Sequence, residues 1–480
     1  MNTRKLISLI ITLAVALGAW FAPSDIFGIQ GLTIVEHRVI AIFFFAALMW
    51  ITEVIPIWTT SVLVITILLL TVSDSSIWFM HPAPEDVSNF GTVVKYKALM
   101  ASFADPIIML FLGGFVLAIG SAKCNLDKNL ARVLFKPFGT RSEIVLLGMM
   151  FVTAVFSMFM SNTATTAMMF AVMAPLLAPL GNDGGKGRTA MTLAIPVAAN
   201  IGGIGTPIGT PPNAIVLKYL NDPDGMNLGI GFGQWMMYMV PFVFILLFIT
   251  WLVMIKMFPF HRKNLELNFD CKFEKSTKAY IIYATFAITV LLWMFDRVTG
   301  LNSNVVAMIP IAVFCATGVI DKNDLKTISW DVLWLVAGGF ALGVALQGTG
   351  LAKSMVNSIP FATWQPVVTV VGAGLICYAM STFMSHTATS ALLVPILAAV
   401  AVGMGEALAP YGGASTLLIG VAMSSSLAMA LPISTPPNAI AHSAGLTTQK
   451  EMATVGLIVA LFGLTMTYVM LLVLGKYNLL

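Results

Sequence analysis

Apolar runs of about 17 to 25 residues, the length that crosses a bilayer as a helix, recur from one end of this sequence to the other. A chain patterned this way cannot take water as its main solvent. Of its 480 residues 58% are hydrophobic and 10% charged, against about 25% charged in a soluble domain. Backbone groups in lipid must be bonded within the protein, and long runs without alternation select helices over a barrel. The expectation is an all-α polytopic membrane protein.

Spans are expected near 5–22, 36–52, 58–73, 104–122, 189–219, 234–257, 279–296, 304–320, 330–349, 411–442 and 453–475, about eleven transmembrane helices. Two further stretches, 144–178 and 365–403, are broken midway by polar clusters and are expected to be re-entrant helical hairpins. Basic residues gather at Arg4 and Lys5, at Lys123, Lys128, Arg132, Lys136 and Arg141, and at Lys256, Arg262, Lys263, Lys272, Lys275 and Lys278. All three groups face the cytoplasm if the N-terminus does, which leaves the C-terminus outside, along with Asp74, Glu85, Asp86, Asp222 and Asp224. The net charge of +4 therefore reports topology, not a nucleic-acid partner. Arg4-Lys5 and the apolar Leu6 to Ala22 are read as an uncleaved first span rather than a signal peptide. Cys124, Cys271, Cys315 and Cys377 are too scattered for disulfides or a zinc site.

Three motifs recur at one offset. Gly113-Gly114-Phe115 matches Gly338-Gly339-Phe340 at 225 residues, Ser161-Asn162-Thr163-Ala164-Thr165 matches Ser385-His386-Thr387-Ala388-Thr389 at 224, and Thr210-Pro211-Pro212-Asn213-Ala214-Ile215 matches Thr435-Pro436-Pro437-Asn438-Ala439-Ile440 at 225. With 1–35 as an extra N-terminal span, residues 36–258 and 279–480 each hold five crossings and one hairpin. An odd number of crossings turns the second copy upside down, so the two are inverted repeats. Their hairpins then enter from opposite faces and bring the two polar clusters together near the midplane, where secondary transporters bind substrate.

Ser161-Asn162-Thr163 would sit at a hairpin tip. The segment Gly202 to Asn213, rich in glycine and proline, would unwind the crossing 189–219, with 411–442 its counterpart. Carbonyls and hydroxyls freed in this way suit a hard cation, and helix N-termini suit a carboxylate or sulfate. Neither motif contains Arg or Lys, so an anion would be held by hydroxyls, amides, helix ends and any co-bound cation. Small polar residues also simply pack membrane helices. Two copies of both motifs in register make packing alone a poor explanation. A phosphate-binding loop is excluded by the absence of GxxxxGK[ST].

At these residues the sequence resembles the divalent anion:sodium symporter family, whose pattern pairs two Ser-Asn-Thr hairpin tips with unwound helices of Pro-Pro-Asn type. The resemblance covers essentially the whole chain. It implies a homodimer working by an elevator mechanism in the bacterial inner (plasma) membrane. A scaffold domain would comprise about 1–135 and 279–350, and a transport domain about 144–258 and 365–480. Asn162, Thr163, Thr210, Pro211, His386, Thr387, Thr435 and Pro436 would bind substrate. Ser157, Ser161, Asn162 and Gly209 would form a first sodium site, and Ser381, His386 and Ser434 a degenerate second one. His386 stands where the family has Asn. An imidazole is a poor sodium ligand, but protonated beside a bound dianion it would supply the missing charge and favour exchange over symport. As a neutral hydrogen-bond donor it would leave sodium symport through the first site. Glu53 and Asp331 are given structural or interfacial places, and His442 a structural one.

The resemblance favours C4-type dicarboxylates such as succinate, malate and fumarate, with 2-oxoglutarate as a further candidate. The motif chemistry equally admits citrate, another tricarboxylate, or sulfate. An intramembrane enzyme is disfavoured because HExxH and GxSxG are absent. A channel is disfavoured because broken inverted repeats serve alternating access better than a continuous pore.

Overall fold

The computed structural model describes residues 3–81, 87–180, 186–223, 225–265, 273–358, 360, 363–477 and 479. Glu85, Asp86, Asp224, Cys271 and Lys272 lie outside the described residues. Within them the ordered structure is helical, with two isolated bridges and no strand. The first half contains α1 (Thr3–Phe21), α2 (Ile34–Thr52), α3 (Ile57–Thr71), α4 (Pro106–Lys123), α5 (Leu126–Phe135), α6 (Ser142–Phe159), α7 (Asn162–Leu180), α8 (Gly187–Gly203), α9 (Pro211–Leu220) and α10 (Phe232–Met257). The second contains α11 (Thr277–Met294), α12 (Met308–Ala316), α13 (Trp330–Gly348), α14 (Pro366–Phe383), α15 (His386–Met404), α16 (Gly413–Ser426), α17 (Pro436–Ser443) and α18 (Gln449–Lys476).

Among the described residues, nine helices are long and apolar enough to cross a membrane. The expected crossings 189–219 and 411–442 are each two helices, α8 with α9 and α16 with α17, joined by non-helical backbone. At 15 residues, α3 rises only about 22 Å against a core of about 30 Å. Conversely, α6, α14 and α15, arms of the expected hairpins, are long enough to span. Helix length and crossing number therefore do not map one to one.

The two halves interlock. α9 packs on α15 and α16 of the second half, and α17 packs on α7 and α8 of the first. The Gly-Gly-Phe motifs mark tight contacts: a methyl at Gly113 would lie 2.4 Å from Ala307 O, and one at Gly338 would lie 2.4 Å from Ser61 Cβ. Only glycine admits such approaches. Apolar side chains left outward on α1, α10, α14 and α18 suit a lipid solvent.

Candidate functional site

Each tip is built the same way. Met160 and Met384 are extended, which ends α6 and α14. Ser161 and Ser385 then start the next helices, their hydroxyls accepting from Ala164 N at 3.2 Å and Ala388 N at 3.1 Å. This N-cap role fits serine. Asn162 with Thr163 and His386 with Thr387 are consequently the first helical residues of α7 and α15, where backbone N–H groups have no intrahelical partner.

The unwound crossings are also built alike. Extended Thr210 and Thr435 precede the Pro-Pro starts of α9 and α17. Asn213 Nδ2 donates to the carbonyls of Gly203, Ile204 and Thr206 at 3.0, 3.4 and 2.8 Å. Asn438 Nδ2 donates to those of Met429 and Leu431 at 2.7 and 3.1 Å. Each asparagine binds the carbonyls its own unwound segment has freed. The loop is tight, since a methyl at Gly209 would lie 2.5 Å from Gly203 O.

All four helix starts open on one cavity of about 370 Å³. Asn162, Thr163, Thr210, Pro211, His386, Thr387, Thr435 and Pro436 all line it, with Ser161, Gly209 and Ser434. Each helix N-terminus carries about half a positive charge. The lining holds no Lys or Arg, and its one acidic residue is Asp331. Two cavities of about 490 Å³ lie elsewhere, one of them lined by both Asp222 and Lys353, and neither is lined by a residue of the repeated motifs.

Behind the first tip, oxygens converge. The Asn162 side-chain amide lies 2.6 Å from Ser157 Oγ, 3.1 Å from Gly209 O and 3.3 Å from Ala199 O. With its nitrogen inward, the amide donates to all three. With its oxygen inward, four oxygens face one another, a set that fits a hard cation. Ser157 Oγ also donates to Ala199 O at 2.7 Å. Ser161, expected in this set, has its hydroxyl engaged in capping α7.

Behind the second tip the set disperses. His386 Nε2 lies 2.7 Å from Ala428 O, and since a carbonyl only accepts, this nitrogen carries a proton. Ser434 Oγ donates to Thr382 O at 2.7 Å. Ser381 Oγ is buried with no partner seen among the described residues. An imidazole N–H directed at a carbonyl is the opposite of a cation ligand.

Several lining residues had not been singled out. Asn200 reaches across the halves, its Nδ2 donating to Thr435 Oγ1 at 3.2 Å and Asn438 Oδ1 at 3.3 Å, with its own Oδ1 buried and without a partner among the described residues. Its counterpart at the repeat offset is Ser425, so repetition gave no signal. Ile57, Phe111, Phe115, Ser329, Val332 and Leu335 form the facing wall, together with Asp331. Asp331, expected to be structural or interfacial, thus lines the cavity. Glu53 sits in left-handed backbone after α2, away from it.

Comparison with known proteins gives four further findings. Residues 47–417 match the family described as citrate transporter, CitMHS. The chain is 30% identical to the sodium-dependent dicarboxylate transporter SdcS of Staphylococcus aureus, covering 91% of this chain and 86% of that one. It is 29% identical to the inorganic phosphate transporter PHO87 of Saccharomyces cerevisiae, over 85% of this chain but 43% of that longer protein. The crystal structure of the Alcanivorax borkumensis YdaH transporter shares the fold with a TM-score of 0.56, at 13% identity over 88% of this chain and 98% of that one.

Proposed function

We propose, given that this chain belongs to the citrate transporter family and is a multi-pass membrane transporter, that it carries C4-type dicarboxylates across the bacterial inner membrane. Membership agrees with the resemblance drawn from the Ser-Asn-Thr and Pro-Pro-Asn motifs. The relatives' names point to di- and tricarboxylates and to phosphate, and a cavity of about 370 Å³ has room for a small anion of any of these kinds. The observation that carries the proposal is the meeting of four helix N-termini, with threonine and asparagine side chains, in a cavity lined by no Lys or Arg. Such a site holds an anion by distributed partial charges and hydrogen bonds. Release therefore does not require breaking an ion pair to Lys or Arg.

The substrate would place one carboxylate at each tip, against Asn162 and Thr163 on one side and Thr387 and His386 on the other. The carrying body would be about 144–258 and 365–480. It would move as an elevator past a scaffold of about 1–135 and 279–350, in a homodimer. The oxygens of Ser157, Asn162 and Gly209 would take sodium as a co-substrate. At the second tip, the Nε2 proton of His386 is held on Ala428 O, so His386 can donate to a carboxylate only through a second proton on Nδ1. A protonated ring would then travel with the dianion, and exchange would be the principal mode. Sodium symport through the first tip, with His386 neutral, is the second reading.

Uptake of radiolabelled succinate into proteoliposomes tests this. One sample has an inward sodium gradient over empty vesicles, and the other is sodium-free and preloaded with unlabelled succinate. Uptake driven by the preload alone supports exchange, and uptake driven by the gradient alone supports symport. Transport in neither sample, with citrate, sulfate or phosphate transported instead, would overturn the choice of substrate.

A further inference from the structure

Lys218, on α9 seven residues beyond the cavity residue Pro211, reaches across to α4 and α13. Its Nζ lies 2.7 Å from Asp105 Oδ2, with the two side chains only 21% and 15% exposed, and 3.7 Å from the centroid of the Phe340 ring. The carboxylate is fixed in turn, because its other oxygen caps α4 by accepting from Ile107 N at 2.9 Å. Beside it, Tyr219 fits against Gly343, where a methyl would lie 1.8 Å from the phenol oxygen. A partly buried ion pair that ties α9 to the start of α4 and to a ring of α13 invites a functional explanation.

The internal repeat supplies one. At the offset of 225 residues, Phe340 corresponds to Phe115, Asp105 to Trp330 beside Asp331, and Lys218 to Ser443. Phe115 and Asp331 both line the substrate cavity. Phe340, one of the groups that clamp Lys218, thus has a counterpart lining the cavity, whereas the Asp105 carboxylate has none at this offset, Asp331 lying one residue further on. No ion pair of Asp331 is seen among the described residues. The cation itself has no counterpart: Ser443 donates to Ile440 O, and the neighbouring His442 is turned about 100° round the helix from it.

We propose that Lys218 is a positioning residue for transport, acting as a one-sided gate. Its clamp on Asp105 and Phe340 shuts the cavity toward the Asp105 face. It must open for the cavity to face that way, and the Asp331 face has no matching clamp. The unloaded carrier therefore rests open toward Asp331. This rests on the two-state reading proposed above.

The test places Ile208→Cys, a cavity residue outside the binding set, in a background with the four native cysteines replaced by serine. Labelling by a membrane-impermeant maleimide is followed in right-side-out and inverted vesicles. With Lys218 intact, labelling should be fast from one face and slowed by succinate. Lys218→Met should raise the rate from the Asp105 face about fivefold, as losing one partly buried pair shifts a two-state population. The swap Lys218→Asp with Asp105→Lys should reverse that rise. Ser443→Lys, which gives the Asp331 face a cation of its own, should raise Asp105-face labelling without touching the original clamp. Unchanged rates from both faces in Lys218→Met and Ser443→Lys would overturn the gate and leave Lys218 a structural pair. Failure of succinate to slow labelling in the parent would instead overturn the cavity as the substrate site.

Discussion

Around the first hairpin tip, the Asn162 amide lies within 3.3 Å of oxygens from Ser157, Ala199 and Gly209. Around the second, His386 donates to Ala428 O and Ser434 to Thr382 O, while Ser381 has no partner among the described residues. The backbones beneath them match: an extended methionine, a serine cap, then a helix of 19 residues. The halves thus share what an anion needs, a helix N-terminus with its free N–H groups. They differ in how oxygens are arranged: beside the first tip hydroxyl and carbonyl oxygens converge on the Asn162 amide, and beside the second they do not converge. An internal repeat can keep one ligand's site twofold while the other's becomes single, because backbone geometry and side-chain identity vary independently.

The largest expected effect tests the shared frame. Asn213→Ala and Asn438→Ala each strip the donor from freed carbonyls and should each cost about 2–3 kcal/mol of stability, read as thermal unfolding in detergent. A loss at one asparagine only would mean the two unwound segments are not equivalent. Next comes the cation asymmetry. Ser157→Ala should reduce sodium-stimulated succinate uptake about tenfold, the effect of one lost polar contact, and Ser381→Ala less than about twofold. Equal effects would erase the difference between the tips. A change smaller than that at Ser157 is expected from His386→Asn, which returns an amide to the second tip and should add about threefold to sodium stimulation. An unaltered sodium response there would show that something besides the imidazole disables that site.

The sequence made the candidate site's lining legible because its pattern is local: each tip and each unwound segment is a short run of consecutive residues, and the two runs recur together. The fold class followed from apolar run length alone. What pairs across the structure was not legible. Asn200 joins Thr435 and Asn438 from more than two hundred residues away, and the wall of Phe111, Phe115 and Asp331 meets the tips only through tertiary packing. The arms α6, α14 and α15 by contrast follow the expected stretches 144–178 and 365–403 closely, since a polar break in an apolar run fixes where a helix ends. Lys218 stands out only beside its partners, for a lone lysine near a helix end ordinarily snorkels to the interface.

The most direct measurement is succinate binding by calorimetric titration of the wild type, Thr163→Val and Thr387→Val in the same detergent. Each substitution keeps shape and removes one hydroxyl. If both tips grip one substrate, either change alone weakens binding about a hundredfold, as expected for losing hydrogen bonds to a charged group, while the unfolding temperature stays at the wild-type value. Wild-type affinity in either variant would contradict a single site shared by the two halves.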